Sequence, residues 1–344
     1  MNYLLGSAVA VGLAFAFPGA SYEQENLLSD GFTATPNVNP NLVNAWGLAA
    51  SPTGPFWIAN EATGTSSIVL ADGSANAPDV AVPADHSAHS TGLVFNGGGG
   101  FEVTGSTGTS GSSLFIFVTL EGRILGWNPQ VDAANAIVAV DNSAGMAETY
   151  TGAALATHGG RTYLYVANLA AGTIDVYDHR FLRTDSFTDE NAPSGYSPFN
   201  VAEIDGELLV AFVPLDPMTG EEIPGPGHGL IDRFLPDGTF LGRLTGGGEL
   251  NAPWGMVRAP GGFGPFSNKL LVGNFGDGRI LGYGNNGHFF GALEDDEGEP
   301  IVVEGLWGLM FGNGGLGGDP RDLYFTAGPE DETHGLFGEI EFDH

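Results

Sequence analysis

The amino-acid sequence predicts an all-β fold: a six-bladed β-propeller of four-stranded antiparallel blades. Three observations carry that prediction. A short apolar strand motif recurs six times at a spacing of roughly 45 to 60 residues, the range of propeller blades. The strands that follow it are apolar at nearly every position rather than at alternate ones, as strands must be when both faces pack against neighbours. The 344-residue chain also holds 56 glycines, which suits many short strands joined by tight turns. No sustained helical spacing occurs after the first twenty residues.

Taken in order, the first strands of the six units fall at 45–48, 90–94, 150–154, 198–201, 253–256 and 306–309. Second strands follow at 56–60, 114–118, 163–168, 208–212, 270–274 and 323–327. Third strands follow at 67–70, 123–127, 173–177, 230–234, 279–283 and 336–340. The fifth unit is complete, with a fourth strand at 288–293. The sixth runs out after its third. Residues 22–28, which precede the first unit, are expected to supply the missing strand and close the ring. A lone blade has two faces to bury, and ring closure buries both. The stretches 82–90, 179–196 and 214–228 read as loops.

Composition narrows the function. There are 41 acidic residues against 10 basic, a net charge of −31. Such a field repels nucleic acid and anionic membrane and attracts divalent cations or cationic ligands; it also serves solubility. The chain has no cysteine, so disulfides, thiolate chemistry and cysteine-held metals are excluded. Residues 2–17 form an apolar run ending in Pro18-Gly19-Ala20, which reads as a signal peptide over residues 1–20. The propeller then spans 21–344. The mature protein is expected to be secreted, extracellular or in the cell envelope, and not inserted in a membrane.

Several longer motifs add to this. Asn-Pro-Asn-Leu-Val-Asn-Ala-Trp-Gly-Leu (39–48), Leu-Leu-Val-Gly-Asn-Phe-Gly-Asp-Gly-Arg-Ile (270–280) and Leu-Trp-Gly-Leu-Met-Phe-Gly-Asn-Gly (306–314) stand out, with Tyr-Phe-Thr-Ala-Gly-Pro (324–329) and His-Gly-Leu-Phe-Gly (334–338). Together they resemble NHL-type propellers and, more closely, a family of secreted hypothetical proteins. Many bacterial members of that family carry a C-terminal PEP-CTERM sorting tail, which is absent here. The resemblance covers nearly all of 21–344. It implies a propeller and export, and it offers no catalytic residues to carry over.

In a propeller, loops before first strands and after second strands share one face around the channel mouth. That face would gather Asn44, Glu61, His86, Glu121, Asn251, Asp277, Glu330 and Asp331. Trp46, Asn60, Asn168, Trp254, Asn274 and Trp307 are the candidate ligand-binding residues. The three asparagines end equivalent strands, either as a ring of amides around a ligand or as turn residues tolerant of left-handed backbone. The tryptophans either stack on a sugar or aromatic ligand or fill the core. Glu304, Asp216, Asn168 and Asn274 carry the oxygen donors that Ca2+ or another divalent cation takes, a set that resembles the channel ligands of six-bladed lactonases. His89, His228 and His334 are candidate acid–base residues, with His86 beside His89. The chain has no HExxH, P-loop, nucleophile-elbow or EF-hand pattern. The expected function is an exported binding or cell-envelope interaction module. It would recognise a small molecule, glycan or extracellular protein at the channel mouth. The alternative is a metal-assisted hydrolase or lactonase with a divalent cation in the channel.

Overall fold

Alternate side chains of a strand point to opposite faces, and in this protein both faces are occupied. Phe56 and Ile58 pack with Leu27, Tyr324 and Phe337 on one side of their strand, whereas Trp57 and Ala59 pack with Leu93, Phe115 and Leu125 on the other. Leu270 and Val272 likewise join Ile231 and Leu209, while Leu271 joins Leu323 and Phe325. Continuous apolar strands are therefore required wherever blades stand face to face.

The computed structural model describes residues 21–145 and 148–343; the expected signal peptide lies outside the described residues. Six sheets stand around one axis. Their inner strands are Ala45–Ala50, Ser90–Phe95, Tyr150–His158, Tyr196–Ile204, Pro253–Arg258 and Leu306–Phe311. Each touches the next, and the last touches the first. Among the described residues, six apolar clusters lie between neighbouring blades and a seventh fills part of the axis.

Blades 1 to 5 run from inner to outer strand in chain order. Blade 6 does not. Its outer strand is Ser21–Ser29, which pairs antiparallel with Leu336–Asp343, from Ser21 opposite Asp343 to Ser29 opposite Leu336. The start of the propeller thus closes its last blade, as the missing fourth strand predicts. A short parallel strand, Asn37–Val38, extends that sheet outward.

A belt of glycines sets how closely the blades approach. The third residue of the inner-strand motif is Gly47, Gly92, Gly152, Asn200, Gly255 or Gly308 in blades 1 to 6. A Cβ on Gly47 would lie 2.4 Å from the Thr91 carbonyl oxygen, and one on Gly255 would lie 2.6 Å from that of Trp307. No real side chain tolerates such contacts, so glycine here permits backbone to meet backbone. Polar side chains stitch the same seams. Thr91 Oγ1 donates to the Tyr150 carbonyl at 2.6 Å, and Thr151 Oγ1 to the Phe199 carbonyl at 2.7 Å. In blade 4, Asn200 replaces the glycine, and its Nδ2 donates to the Trp254 carbonyl at 2.8 Å.

Two elements depart from the sequence reading. The expected loop 179–196 contains the outer strand of blade 3, Arg183–Phe187, which pairs with Thr173–Tyr177. Its first four residues face solvent, so no apolar pattern marks it; pairing alone makes it a strand. A small hairpin, Glu102–Thr104 with Ser110–Ser112, is inserted between the first two strands of blade 2.

Candidate functional site at the two ends of the axis

Inner strands run from one end of the axis to the other and second strands return, so Ala45 opposes Asn60 and Ala50 opposes Phe56. Trp46, Trp254 and Trp307 occupy the second position of the motif in blades 1, 5 and 6. They meet on the axis. Trp46 stacks on Trp307 with centroids 3.8 Å apart, and Trp254 meets them edge-on at 6.3 and 5.9 Å. Phe275 stacks on Trp307 at 4.1 Å. The indoles converge as the loop argument requires, yet their exposures are only 5%, 6% and 0% in sequence order. They fill the hole instead of lining it, with Leu169, Phe199 and Val213 packed around them. The channel is therefore closed at the end where its mouth was expected. Burying three large rings is more favourable than leaving them around water. Trp307 Nε1 donates to Asn44 Oδ1 and Trp254 Nε1 to the Thr151 carbonyl, both at 2.9 Å. Among the described residues, Trp46 Nε1 has no hydrogen-bond partner.

The three asparagines are engaged inside their own blades. Asn168 donates to Asp175 at 2.9 Å and accepts from Ala171 N at 3.1 Å. Asn274 donates to the Glu249 carbonyl at 2.9 Å and accepts from Asn251 N at 3.1 Å. Asn60 donates to Thr65 and Ser67 at 2.9 and 2.8 Å. All three are fully buried, and they hold turns and strand ends together.

Beside the plug, loops of blades 4, 5 and 6 border a cavity of about 350 Å³ lined by Pro224, Phe275, Asp277, Val302, Glu304, Asp331 and Glu332, among others. Asp277 is held by Arg279 at 2.9 Å. Glu304 accepts from the Glu330 amide at 3.1 Å. Glu332 accepts from Asn44 Nδ2 at 2.8 Å, and the same amide donates to Glu61 at 3.0 Å. Asn44 thus joins the plug to two carboxylates. Burial pushes the Glu332 carboxyl up to about 7, helped by the negative charge of Glu222 and, less, of Glu61 and Glu221, while the Asn44 bond opposes the rise. Residues 330, 331 and 332 are all left-handed, with φ of 54°, 53° and 64°, a costly conformation for side chains with a Cβ.

Of this charge, Arg279 offsets only that of Asp277. Among the described residues, Glu304, Asp331 and Glu332 form no ion pair. Eight of the nine arginines already hold other carboxylates.

The remaining expected residues are dispersed. Asp216 caps a turn by accepting from Met218 N at 2.7 Å and does not line the cavity with Glu304. His89 Nδ1 lies 2.5 Å from Glu121, His334 Nδ1 lies 2.7 Å from Asp30, and His228 Nδ1 lies 2.9 Å from the Ile223 carbonyl. Each histidine has its own partner, and no two share one. Among the described residues, the trio of ionisable groups close enough to share an ion is Asp322, Glu339 and Glu341 on blade 6, with oxygens within 4.8 Å. Burial raises Asp322 to about 6 and Glu339 to about 7. None of these three was expected.

The opposite end of the axis is open. A cavity of about 460 Å³ is lined by all six inner strands, including Ala50, Phe95, Leu155, Met256 and Met310. Trp254 lines it from the plug side, and Glu203 is the one ionisable residue on its wall.

Sequence reasoning missed Phe275, Glu332 and Glu203. Phe275 had a signal: it follows Asn274 as Leu169 follows Asn168, an apolar position repeated after second strands. Glu332 had none, because its burial comes from loops distant in sequence.

No family model matches the chain. Uncharacterized protein R648 of Acanthamoeba polyphaga mimivirus is 32% identical over 324 residues, covering 91% of this chain and 78% of that protein. Uncharacterized protein L690 of the same virus is 30% identical over 337 residues, covering 94% and 87%. These relatives are viral, whereas the sequence motifs resembled those of a secreted family with many bacterial members. Among solved structures, the soluble aldose sugar dehydrogenase of Escherichia coli matches with a TM-score of 0.54 and 15% identity over 93% of this chain and 99% of that one. Virginiamycin B lyase of Staphylococcus aureus matches with a TM-score of 0.52 and 14% identity over 94% and 99%. At these identities the likeness is one of fold.

Proposed function

We propose that this chain, which belongs to the family of mimiviral proteins that includes R648 and L690, is a binding module for organic cations. The observation that carries the reading is the set of uncompensated carboxylates, Glu304, Asp331 and Glu332, around a cavity that also presents Phe275. Partly buried carboxylates attract positive charge more strongly than solvated ones. An aromatic wall adds cation–π attraction. Val302 and Pro224 add carbon surface, which favours an alkylammonium or guanidinium over a bare metal ion. The ligand would be a small amine or a basic side chain of a partner protein. In this reading residues 1–20 direct export and the partner is extracellular. The mass of the mature protein checks cleavage near Ala20.

Calorimetric titration at pH 8 and low salt with arginine methyl ester, tetramethylammonium and Ca2+ tests the proposal. Saturable binding of the organic cations is expected, weakened about tenfold by Glu304→Gln. Binding of Ca2+ alone would replace the organic ligand with a divalent cation. No binding of any of the three would end the proposal. The metal-assisted hydrolase is the second reading, because a carboxyl held near 7 in Glu332 suits a general acid. Turnover of a lactone or ester that depends on added divalent cation and is lost in Glu332→Gln would favour it.

A further inference from the structure

The open end of the axis is a second binding site of different chemistry. We infer that it takes a slender molecule with an alkyl chain and a primary ammonium group, inserted from the face opposite the indole plug.

Four features of the cavity carry the inference. It is a blind hole: Trp254 lines its inner end, and the stacked indoles close the axis beyond. Its volume of about 460 Å³ lies in the range of small-molecule sites. Its side chains are nearly all uncharged and apolar, and Met256 and Met310 can reshape around different chains. Asn200, the other polar side chain on the wall, is already committed to the Trp254 carbonyl and the Val201 amide, both at 2.8 Å.

The head group follows from what polar chemistry remains. Each inner strand is the last of its sheet, so its free edge faces the axis and offers carbonyl acceptors and amide donors alike; the choice between head groups falls to the charge. Glu203 is the one charge on the wall; it is exposed, and one of its carboxylate oxygens accepts from the Gly206 amide at 2.8 Å, which leaves the other for a ligand. Arg258 ends a neighbouring inner strand but is held by Asp205 at 2.9 Å. An ammonium group brings three donors and a positive charge to this setting. A carboxylate of the same length would meet Glu203 with the wrong sign.

Titration of Glu304→Gln protein, in which the acidic pocket at the other end is weakened, with octylammonium, octanol and octanoate tests the site. Intrinsic tryptophan fluorescence, taken as the difference from a Trp254→Phe control, provides a readout at the channel floor, and calorimetry gives the affinity. Octylammonium is expected to bind about tenfold more tightly than octanoate, with octanol between. Tetramethylammonium, which has no chain to insert, is expected to leave the Trp254 signal unchanged. Adding Glu203→Gln should bring the amine and the carboxylate within about twofold of each other. Leu155→Trp, at a half-buried wall position, should block all three ligands, with circular dichroism confirming the fold. Equal affinity for amine and carboxylate, no saturable binding of any of them, or unchanged binding in folded Leu155→Trp protein would overturn the inference.

Discussion

The two ends of the propeller axis are built from the same six strands and have opposite character. At one end the inner strands begin with large rings: Trp46, Trp254 and Trp307 stack until none is more than 6% exposed. Around them the loops carry carboxylates without cationic partners. At the other end the same strands finish in Ala50, Phe95, Leu155 and Met310, which leave a hole with one charge on its wall. The strands supply the frame at both ends. Which end is open depends on side-chain size at the second position of the motif, and which end is charged depends on the loops. Position on the loop-rich face was thus a sound guide to charge and a poor guide to the channel opening.

The largest test of this contrast is the belt between the two ends. Gly255→Val would force a side chain into the Trp307 carbonyl, 2.6 Å from the Cβ site. A loss of about 4 kcal/mol or outright failure to fold is expected, read by urea denaturation. Asn200→Gly is the paired control. It removes one seam hydrogen bond and should cost only about 1 to 2 kcal/mol.

Next in size is the plug itself. Trp307→Ala should cost about 3 to 5 kcal/mol, as large core rings do, whereas Met310→Ala at the open end should cost about 1 kcal/mol because that side chain is half-buried. Equal costs at the two ends would refute the contrast between filled and open.

Third is the pH response of the acidic end. Glu332 has a folded value of about 7, above its unfolded value near 4.3. Its proton therefore stabilises the fold fully below about pH 4 and ceases to do so as pH rises through about 7. Glu332→Gln should gain about 1 to 2 kcal/mol relative to wild type at pH 8 and almost nothing at pH 4, after allowance for solvent screening. Melting curves at the two pH values check this; an equal change at both would show that the carboxyl is not held protonated.

The smallest expected effect separates two stacked rings. Trp307→Phe removes the 2.9 Å bond to Asn44, whereas Trp46→Phe removes no hydrogen bond. Because both lose similar ring volume, Trp307→Phe should be worse by about 1 kcal/mol. Parallel denaturation of the two variants would show it.

Much of this architecture was legible. Local patterns revealed the six inner strands, the all-apolar second strands and the closing role of residues 22–28, because each blade must bury two faces and each strand shows that need in its own residues. The strand Arg183–Phe187 was not legible, since an outer edge facing water has no apolar signature and exists only through pairing with Thr173–Tyr177. Asn60, Asn168 and Asn274 could be read as ligands or as turn residues, and only their hydrogen bonds distinguish the two.

By itself, then, the sequence determined the repeat, its closure and the sign of the surface field, all of which follow from local composition and period. Only the tertiary structure decided that three indoles from blades 1, 5 and 6 meet and block one end. It also decided that Glu332 is brought beside Glu61 and Glu222, and that the hole opens on the far side. These are outcomes of packing between residues up to about 290 positions apart in the chain, such as Asn44 and Glu332. Excluded volume and burial at such contacts are set by the closed ring, not by any one blade.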